Sequence, residues 1–386
     1  MKLTTQIDWK TPFWSTLNFA QVTHAYAWNC NPTSSGGVDA SMVNGSQIAL
    51  VHAGGAKALA IMFCGDDTLG TICANSTLRT QFVANVKTVM QTNYNGQYLD
   101  GVCIDWEDEN QPPNTTTAGF NSLITDLYNA FQPIGKIVHV YLGAYLRGDP
   151  SQIPTPSVAN AYVDALCIGT YWQWSASDAE AEMTAWAAIG YSKNILCMGW
   201  QTELDYDDKE NPFHSYGALV DEYNPPTNTG TSTTIESFTD PAFGTVYTGN
   251  TLYWQSLTEL ENKANWIITQ GYGGAFCYTF SEDKLNDSRS LVQTAYNILF
   301  PSGFTHGTTH TASLSITDSL AGKPCQVQLQ IGTSLSNKVS FTSGSNVPVS
   351  IPITMPAAGT YPVYIDVYME GVLIQTGTDP NQVTVV

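Results

Sequence analysis

The run YLDGVCIDWEDEN, residues 98–110, sets five acids, Asp100, Asp105, Glu107, Asp108 and Glu109, around an apolar stretch that otherwise suits a buried strand. Side chains alternate along a strand, so Gly101, Cys103, Asp105 and Glu107 share one face while Val102, Ile104 and Trp106 share the other. An unpaired buried carboxylate costs several kcal/mol or has its pKa raised, so two on one inward face need a compensating reason. Proton transfer is such a reason, because a carboxyl kept protonated by a nearby carboxylate acts as a general acid near neutral pH. The bland alternative is that Asp105 and Glu107 only hydrogen-bond neighbouring loops at a strand end. Asp108 and Glu109, beyond the strand, read as ordinary loop acids.

Something must hold that face inward. Apolar runs at 22–28, 58–64, 98–106, 136–145, 163–172, 194–200 and 273–280, with LTTQIDW near the start, alternate with amphipathic stretches such as 76–94, where Ser76 is the expected N-cap, and 118–132. Strands apolar on both faces, each followed by a helix, predict parallel strands covered by helices. Eight such units predict an α/β fold, a (β/α)8 TIM barrel over residues 1–303, whose C-terminal mouth is where the carboxylates emerge. The segment 201–252, rich in Asn, Pro, Thr and Gly, interrupts the rhythm between the last two strands, as a loop overhanging the mouth or as a plain surface excursion. From 304 to 386 the texture changes to short alternating runs separated by turn residues. That pattern predicts a C-terminal antiparallel β-sandwich (Ig-like) domain, for attachment, carbohydrate binding or assembly, or only to support the barrel.

Composition narrows the partners. With 14 basic against 33 acidic residues the formal charge is −19, which repels phosphate backbones and anionic lipid alike, so neither nucleic acid nor membrane insertion is expected. Only 12% of residues are charged, as in a secreted or particle-borne protein, yet MKLTTQIDWK lacks the apolar core of a signal peptide. The expected location is therefore extracellular or particle-associated, by a signal already removed or by another route. Most of the 8 cysteines lie in apolar runs, where a reduced thiol behaves as a small hydrophobe. Cys64 and Cys73, flanking GDDTLGTI, stand close enough in sequence for a local disulfide, and the pairing stays open. The six histidines show no zinc-like spacing with cysteine, so no metal and no cofactor is expected.

DGVCIDWE, residues 100–107, resembles the DGxDxDxE signature of glycoside hydrolase family 18, the chitinases and related endo-β-N-acetylglucosaminidases. VTHAYAWN, GTYW at 169–172 and the stretch from YWQSLTELENK to GGAFCYTFSED resemble further strands and the last helix of that family, in order, over residues 2–300. The resemblance implies retaining, endo-acting hydrolysis of β-1,4-linked N-acetylglucosamine polymers, with the sugar's own acetamido group as nucleophile. Carried over by position, Glu107 protonates the glycosidic oxygen and later activates water. Asp105 holds the acetamido N–H and stabilises the cation, and Tyr171 donates to the acetamido carbonyl. The pattern departs at Cys103, which replaces the middle Asp, and at Trp172 and Gly169, which replace the Asp and Met of the sixth strand. Tyr278 stands for the last-strand Trp under the scissile sugar, and the third-strand SxGG is absent.

Chitin or other N-acetylglucosamine glycans are the implied partners, with a further docking partner for the C-terminal domain. Trp172, Tyr278, Trp28, Trp200 and Trp174 are the candidate sugar platforms, each alternatively a core or rim residue. The departures leave two readings, an active chitinase-like hydrolase and a weak or inactive glycan-binding or structural component.

Overall fold

The apolar runs of the first 280 residues pair side by side into a closed ring. The computed structural model describes residues 1–7, 14–63, 67–106, 116–206, 215–223, 225, 227, 232–234, 238–239, 246–247, 251–300, 309–316, 323–343, 347–354, 359–369 and 372–385. Eight parallel strands make the barrel: β1 Lys2–Gln6, β2 His24–Asn29, β3 Lys57–Met62, β4 Gly101–Trp106, β5 Ile137–Gly143, β6 Ala165–Gly169, β7 Leu196–Gln201 and β8 Gly274–Tyr278. Each strand pairs with its neighbours in sequence and β8 pairs with β1, closing the ring. The α-helices among the described residues are α1 Gly45–Ala53, α2 Thr68–Ala74, α3 Ser76–Gln91, α4 Thr117–Phe131, α5 Pro156–Tyr162, α6 Ala176–Ala188, α7 Tyr216–Tyr223, α8 Leu257–Gln270 and α9 Leu291–Leu299.

Local chemistry sets the helix ends. Ser256-Leu-Thr-Glu259 reads as a capping box, and the Ser256 hydroxyl accepts from the Glu259 amide at 3.2 Å. Gly271 ends α8 in the left-handed region at φ 73°, which costs a glycine little. The expected cap of α3 is corrected: Asn75, not Ser76, caps it, its side chain accepting from the amides of Thr77 and Leu78. An Asn carbonyl reaches both orphan amides from outside the helix, and Ser76 becomes the first helical residue.

The pleat sorts each strand into two faces, as expected for β4. Trp106 points outward and stacks on Phe120 of α4, ring centroids 4.2 Å apart at 16°. Inward, Tyr26, Leu59, Ile61, Cys103, Tyr141, Cys167, Cys197 and Phe276 fill the barrel. This interior is unusually polar for a core. The Tyr26 hydroxyl lies 2.6 Å from His139 Nδ1 and 3.5 Å from Cys167 Sγ, and Thr4 Oγ1 lies 3.6 Å from the same sulfur. The rings of His24 and His139 pack with centroids 4.8 Å apart.

Among its described residues, the second unit, Phe300–Val386, is built from antiparallel strands. They are β9 Thr309–Ile316, β10 Pro324–Ile331, β11 Ser334–Leu335, β12 Val339–Thr342, β13 Val347–Thr354, β14 Gly359–Met369 and β15 Val372–Val385. The β9–β13 pair faces the remaining strands across a core of Val327, Leu329, Ile331, Val349, Ile351, Ile353 and Val363, so the expected sandwich forms. The described residues of the runs GVLIQT and QVTVV, 372–376 and 382–385, belong to one 14-residue strand, which follows β14 through two register shifts. Among the described residues no helix is long and apolar enough to cross a membrane.

The buried histidines make the barrel sensitive to acid. Burial, aided by the positive charges of Lys57 and Lys2, lowers the pKa of His24 to about 3; burial, then His24, holds His139 well below its ordinary value. An unfolded histidine takes up its proton near pH 6.5, so below that pH the unfolded chain binds more protons than the fold. The stability tied to neutral His24 is thus complete above pH 6.5 and lost progressively toward pH 3, at most about 5 kcal/mol. Urea melts of the parent and of His24→Asn at pH 7 and pH 4.5 should show the variant losing ~2 kcal/mol less over that interval. Equal losses would clear His24 of the effect.

Candidate active site

Asp105 is the last inward residue of β4, half-buried at the C-terminal end of the strand and in register with Tyr141 of β5. Glu107, two residues further, lies outside the described residues, as does Cys64. The first acid of the signature does different work. Asp100 sits at the opposite end of β4, where its Oδ2 lies 2.8 Å from His52 Nε2 and accepts from the Ala58 amide at 2.9 Å. It ties α1 and β3 to the barrel floor, away from the mouth.

A run of aromatic rings leads from Asp105 across the mouth. Tyr141 stacks on Tyr171 at 5.8 Å and 12°, and Tyr171 stacks on Tyr278 at 5.7 Å and 30°. Phe276 packs against Tyr141 and Tyr171, with centroids 5.6 and 6.0 Å away. The structure therefore gathers three of the expected site residues, Asp105, Tyr171 and Tyr278, and adds Tyr141. Alternation in IVHVYLG marks Tyr141 as inward, and counting from His139 would have found it. Gln201, buried at the end of β7 in register with Tyr278, was legible in the same way.

Two glycines make room for this stack. A Cβ on Gly169 would lie 2.1 Å from the Tyr141 hydroxyl oxygen, and one on Gly199 would lie 3.1 Å from Tyr171 Cε1 and 2.5 Å from the Ile168 carbonyl. Gly169 and Tyr141 thus belong together, the missing side chain on β6 holding space for the phenol of β5. Thr170 fixes the backbone just before Tyr171, its buried hydroxyl donating to the Gly199 carbonyl at 2.6 Å. At the next seam, the Thr202 amide donates to the Tyr278 carbonyl at 2.7 Å and the Thr279 amide to Thr202 Oγ1 at 2.9 Å. The Tyr278–Thr279 peptide is cis.

Cys103 lies one inward step below Asp105 and is 2% exposed. Burial pushes its thiol well above its ordinary pKa, and the negative charges that Cys167 and Asp105 would carry push in the same direction. The sulfur therefore stays protonated and neutral. Where a second carboxyl would share a proton with Asp105, this chain offers a weak S–H donor instead. Among the described residues, no cluster of three or more His, Cys, Asp or Glu is placed to hold a metal ion.

Beside the ring stack, a cavity of 290 Å³ opens between the ends of β5 and β6, with Tyr145, Arg147, Trp172, Gln173 and Glu182 on its walls and Gly169 at its edge. Trp172 is 62% exposed and Tyr145 53% exposed. Arg147 and Glu182 form a bidentate pair at 2.8 and 3.0 Å, which cancels their charge at the wall. Two aromatic faces and a compensated ion pair suit an uncharged polar ligand.

Two expected platforms are corrected. Trp28 is 1% exposed: a register shift after Tyr26 turns it toward the helices, where it stacks on Trp14 and donates to Gln47 Oε1 at 2.8 Å. Trp200 is fully buried, because it sits one residue before the inward Gln201 and so faces the helix layer. Neither ring offers a face to a ligand. Trp174 is half-buried on the loop after Tyr171.

The segment after β7 contributes α7 and an antiparallel sheet of Asp205–Tyr206, Thr251–Tyr253 and Ser232–Thr234, all entered from the C-terminal end of that strand. It is thus an insertion with structure of its own.

These features agree with comparison to known proteins. No curated protein matches the chain. Among solved structures, the second catalytic domain of a group II chitinase from Ostrinia furnacalis is similar, at 15% identity and TM-score 0.60, over 78% of this chain and 96% of that one. A family 18 chitinase from the chitin utilization locus of Flavobacterium johnsoniae matches at 14% identity and TM-score 0.61, over 79% of this chain and 95% of that one. The cell-surface-expressed multi-modular chitinase of a Paenibacillus species matches 100% of this chain with 56% of its own, at 15% identity and TM-score 0.58. At such identities the likeness is one of fold. The family model described as glycosyl hydrolases family 18 matches residues 53–283, more than half of the chain. With the barrel, the acid at the end of its fourth strand and that match in agreement, the chain belongs to glycosyl hydrolase family 18.

Proposed function

We propose that the protein is an endo-acting, retaining hydrolase of β-1,4-linked N-acetylglucosamine polymers, working outside the cell or on a particle. The observation that carries this reading is Asp105 at the barrel mouth, continued by the stack of Tyr141, Tyr171 and Tyr278. Glu107 protonates the leaving oxygen, and the substrate's acetamido carbonyl attacks the anomeric carbon from the other face. The Tyr171 hydroxyl donates to that carbonyl and aligns it. Asp105 accepts from the acetamido N–H and opposes the positive charge that develops on the ring. Water, deprotonated by Glu107, then opens the oxazolinium with net retention. Tyr278 supplies an aromatic face under the reacting sugar, and Trp172 with Tyr145 flanks the next one. A neutral Cys103 offers Asp105 no second carboxyl with which to share a proton, so the role proposed for Asp105 is electrostatic.

A second reading, glycan binding without turnover, is favoured by one observation: the carboxyl that would couple to Asp105 is replaced by a buried neutral thiol. Product analysis on chitotetraose separates the two. Cleavage by the parent, lowered at least ~10²-fold in Glu107→Gln, supports the hydrolase. Tight calorimetric binding with unchanged ligand would instead establish the binding protein.

The ring stack gives its own test. Gly169→Ala drives a methyl into the Tyr141 hydroxyl, an overpacking that costs about 1–3 kcal/mol and displaces the support of Tyr171. Thermal melts should show the loss of stability, and kcat should fall tenfold or more. Adding Tyr141→Leu should restore the stability while leaving kcat low.

A further inference from the structure

Lys263 stands in the middle of α8 with none of its surface exposed. An ammonium so placed is costly unless its protons are taken up. Nζ donates to the backbone carbonyl of Gln173 at 2.6 Å and to Gln255 Oε1 at 2.7 Å. Gln173 is the second residue after Tyr171 and the first after Trp172.

The start of α8 takes hold of the same loop at two further points. Gln255 Nε2 reaches the Trp174 carbonyl at 3.5 Å, and Glu259 Oε2 accepts from the Ala176 amide at 2.5 Å. Glu259 is itself set by the Ser256 cap, and Ser175 caps α6 just beyond. The backbone at 173, 174 and 176 is thus gripped in succession, immediately downstream of Tyr171, while Thr170 fixes the other side.

A buried lysine is a poor means of gaining stability. Burial pushes its pKa down to about 7, against the pull of Glu259 and Asp178, so the fold gives something up to keep the charge there. Apolar side chains of similar volume commonly replace buried charges at no loss. What the ammonium supplies instead is direction: several donors at a fixed radius, able to set two acceptors relative to the helix.

We propose that Lys263 is a positioning residue for the hydrolytic site, setting Tyr171 through the carbonyl of Gln173; the proposal rests on the hydrolase reading above. Lys263→Met keeps the volume and removes both donors. Folded Lys263→Met should show kcat on chitotetraose lowered at least tenfold with KM changed less than threefold. The double variant with Tyr171→Phe should be no worse than Tyr171→Phe alone, within twofold, because both changes remove one function. Unchanged kcat, or losses that multiply, would overturn the proposal.

Should Lys263→Met fail to fold, Gln255→Leu removes one link of the same clasp and is read by the same criteria. If the parent does not cleave, the hydrolase reading falls and binding decides the positioning. Chitotetraose affinity weakened tenfold in the folded variant, with amide exchange at 172–176 accelerated and that of β4 unchanged, supports it. Unchanged affinity and exchange overturn it.

Discussion

Closing eight parallel strands into a ring forces every second side chain into one narrow space, and the rest of this molecule follows from how that space is filled. At the floor, Asp100 and His52 tie strands to helix. In the middle, Tyr26, His139, Cys103, Cys167 and Cys197 stand among the aliphatics, with the Tyr26 hydroxyl set between His139 Nδ1 and Cys167 Sγ. At the mouth, Asp105 and the tyrosines meet solvent. Because the strands share one axis, a change on any of them is felt by its neighbours in register.

Gly169 and Cys103 illustrate the point from opposite directions. Gly169 looks like a loss when β6 is read alone, since a larger residue is replaced by none. With β5 beside it, the vacancy holds the Tyr141 phenol, and Tyr141 in turn backs Tyr171. Cys103 similarly turns a charged inner column into a neutral one, because a thiol at that depth keeps its proton.

Loops at the mouth need restraint that the strands do not supply. The one after β6 carries Tyr171, Trp172 and Trp174, and its backbone polar groups are taken up by Lys263 and Glu259 of α8 and by Gln255 just before it. Such side-chain grips let a loop be as well placed as a strand end while leaving its aromatic faces open. Trp172 stays exposed for that reason, whereas Trp28 and Trp200, on strands, are absorbed into packing.

The order and kind of elements were legible from sequence, because strands apolar on both faces followed by amphipathic helices admit few other arrangements. So were the inward placement of Asp105 and Cys103 and the outward placement of Trp106, since these need only the two-residue period of a strand. That period also carried Tyr141 and Gln201, which a search for familiar motifs passes over. Tertiary structure alone decided what depends on partners distant in sequence. The space at Gly169 depends on a ring 28 residues earlier in the chain, the fate of Trp28 on a register shift, and the buried charge of Lys263 on acceptors in another loop. Periodicity is a property of one segment, whereas clearance, burial and hydrogen-bond satisfaction exist only between segments brought together by the closed barrel.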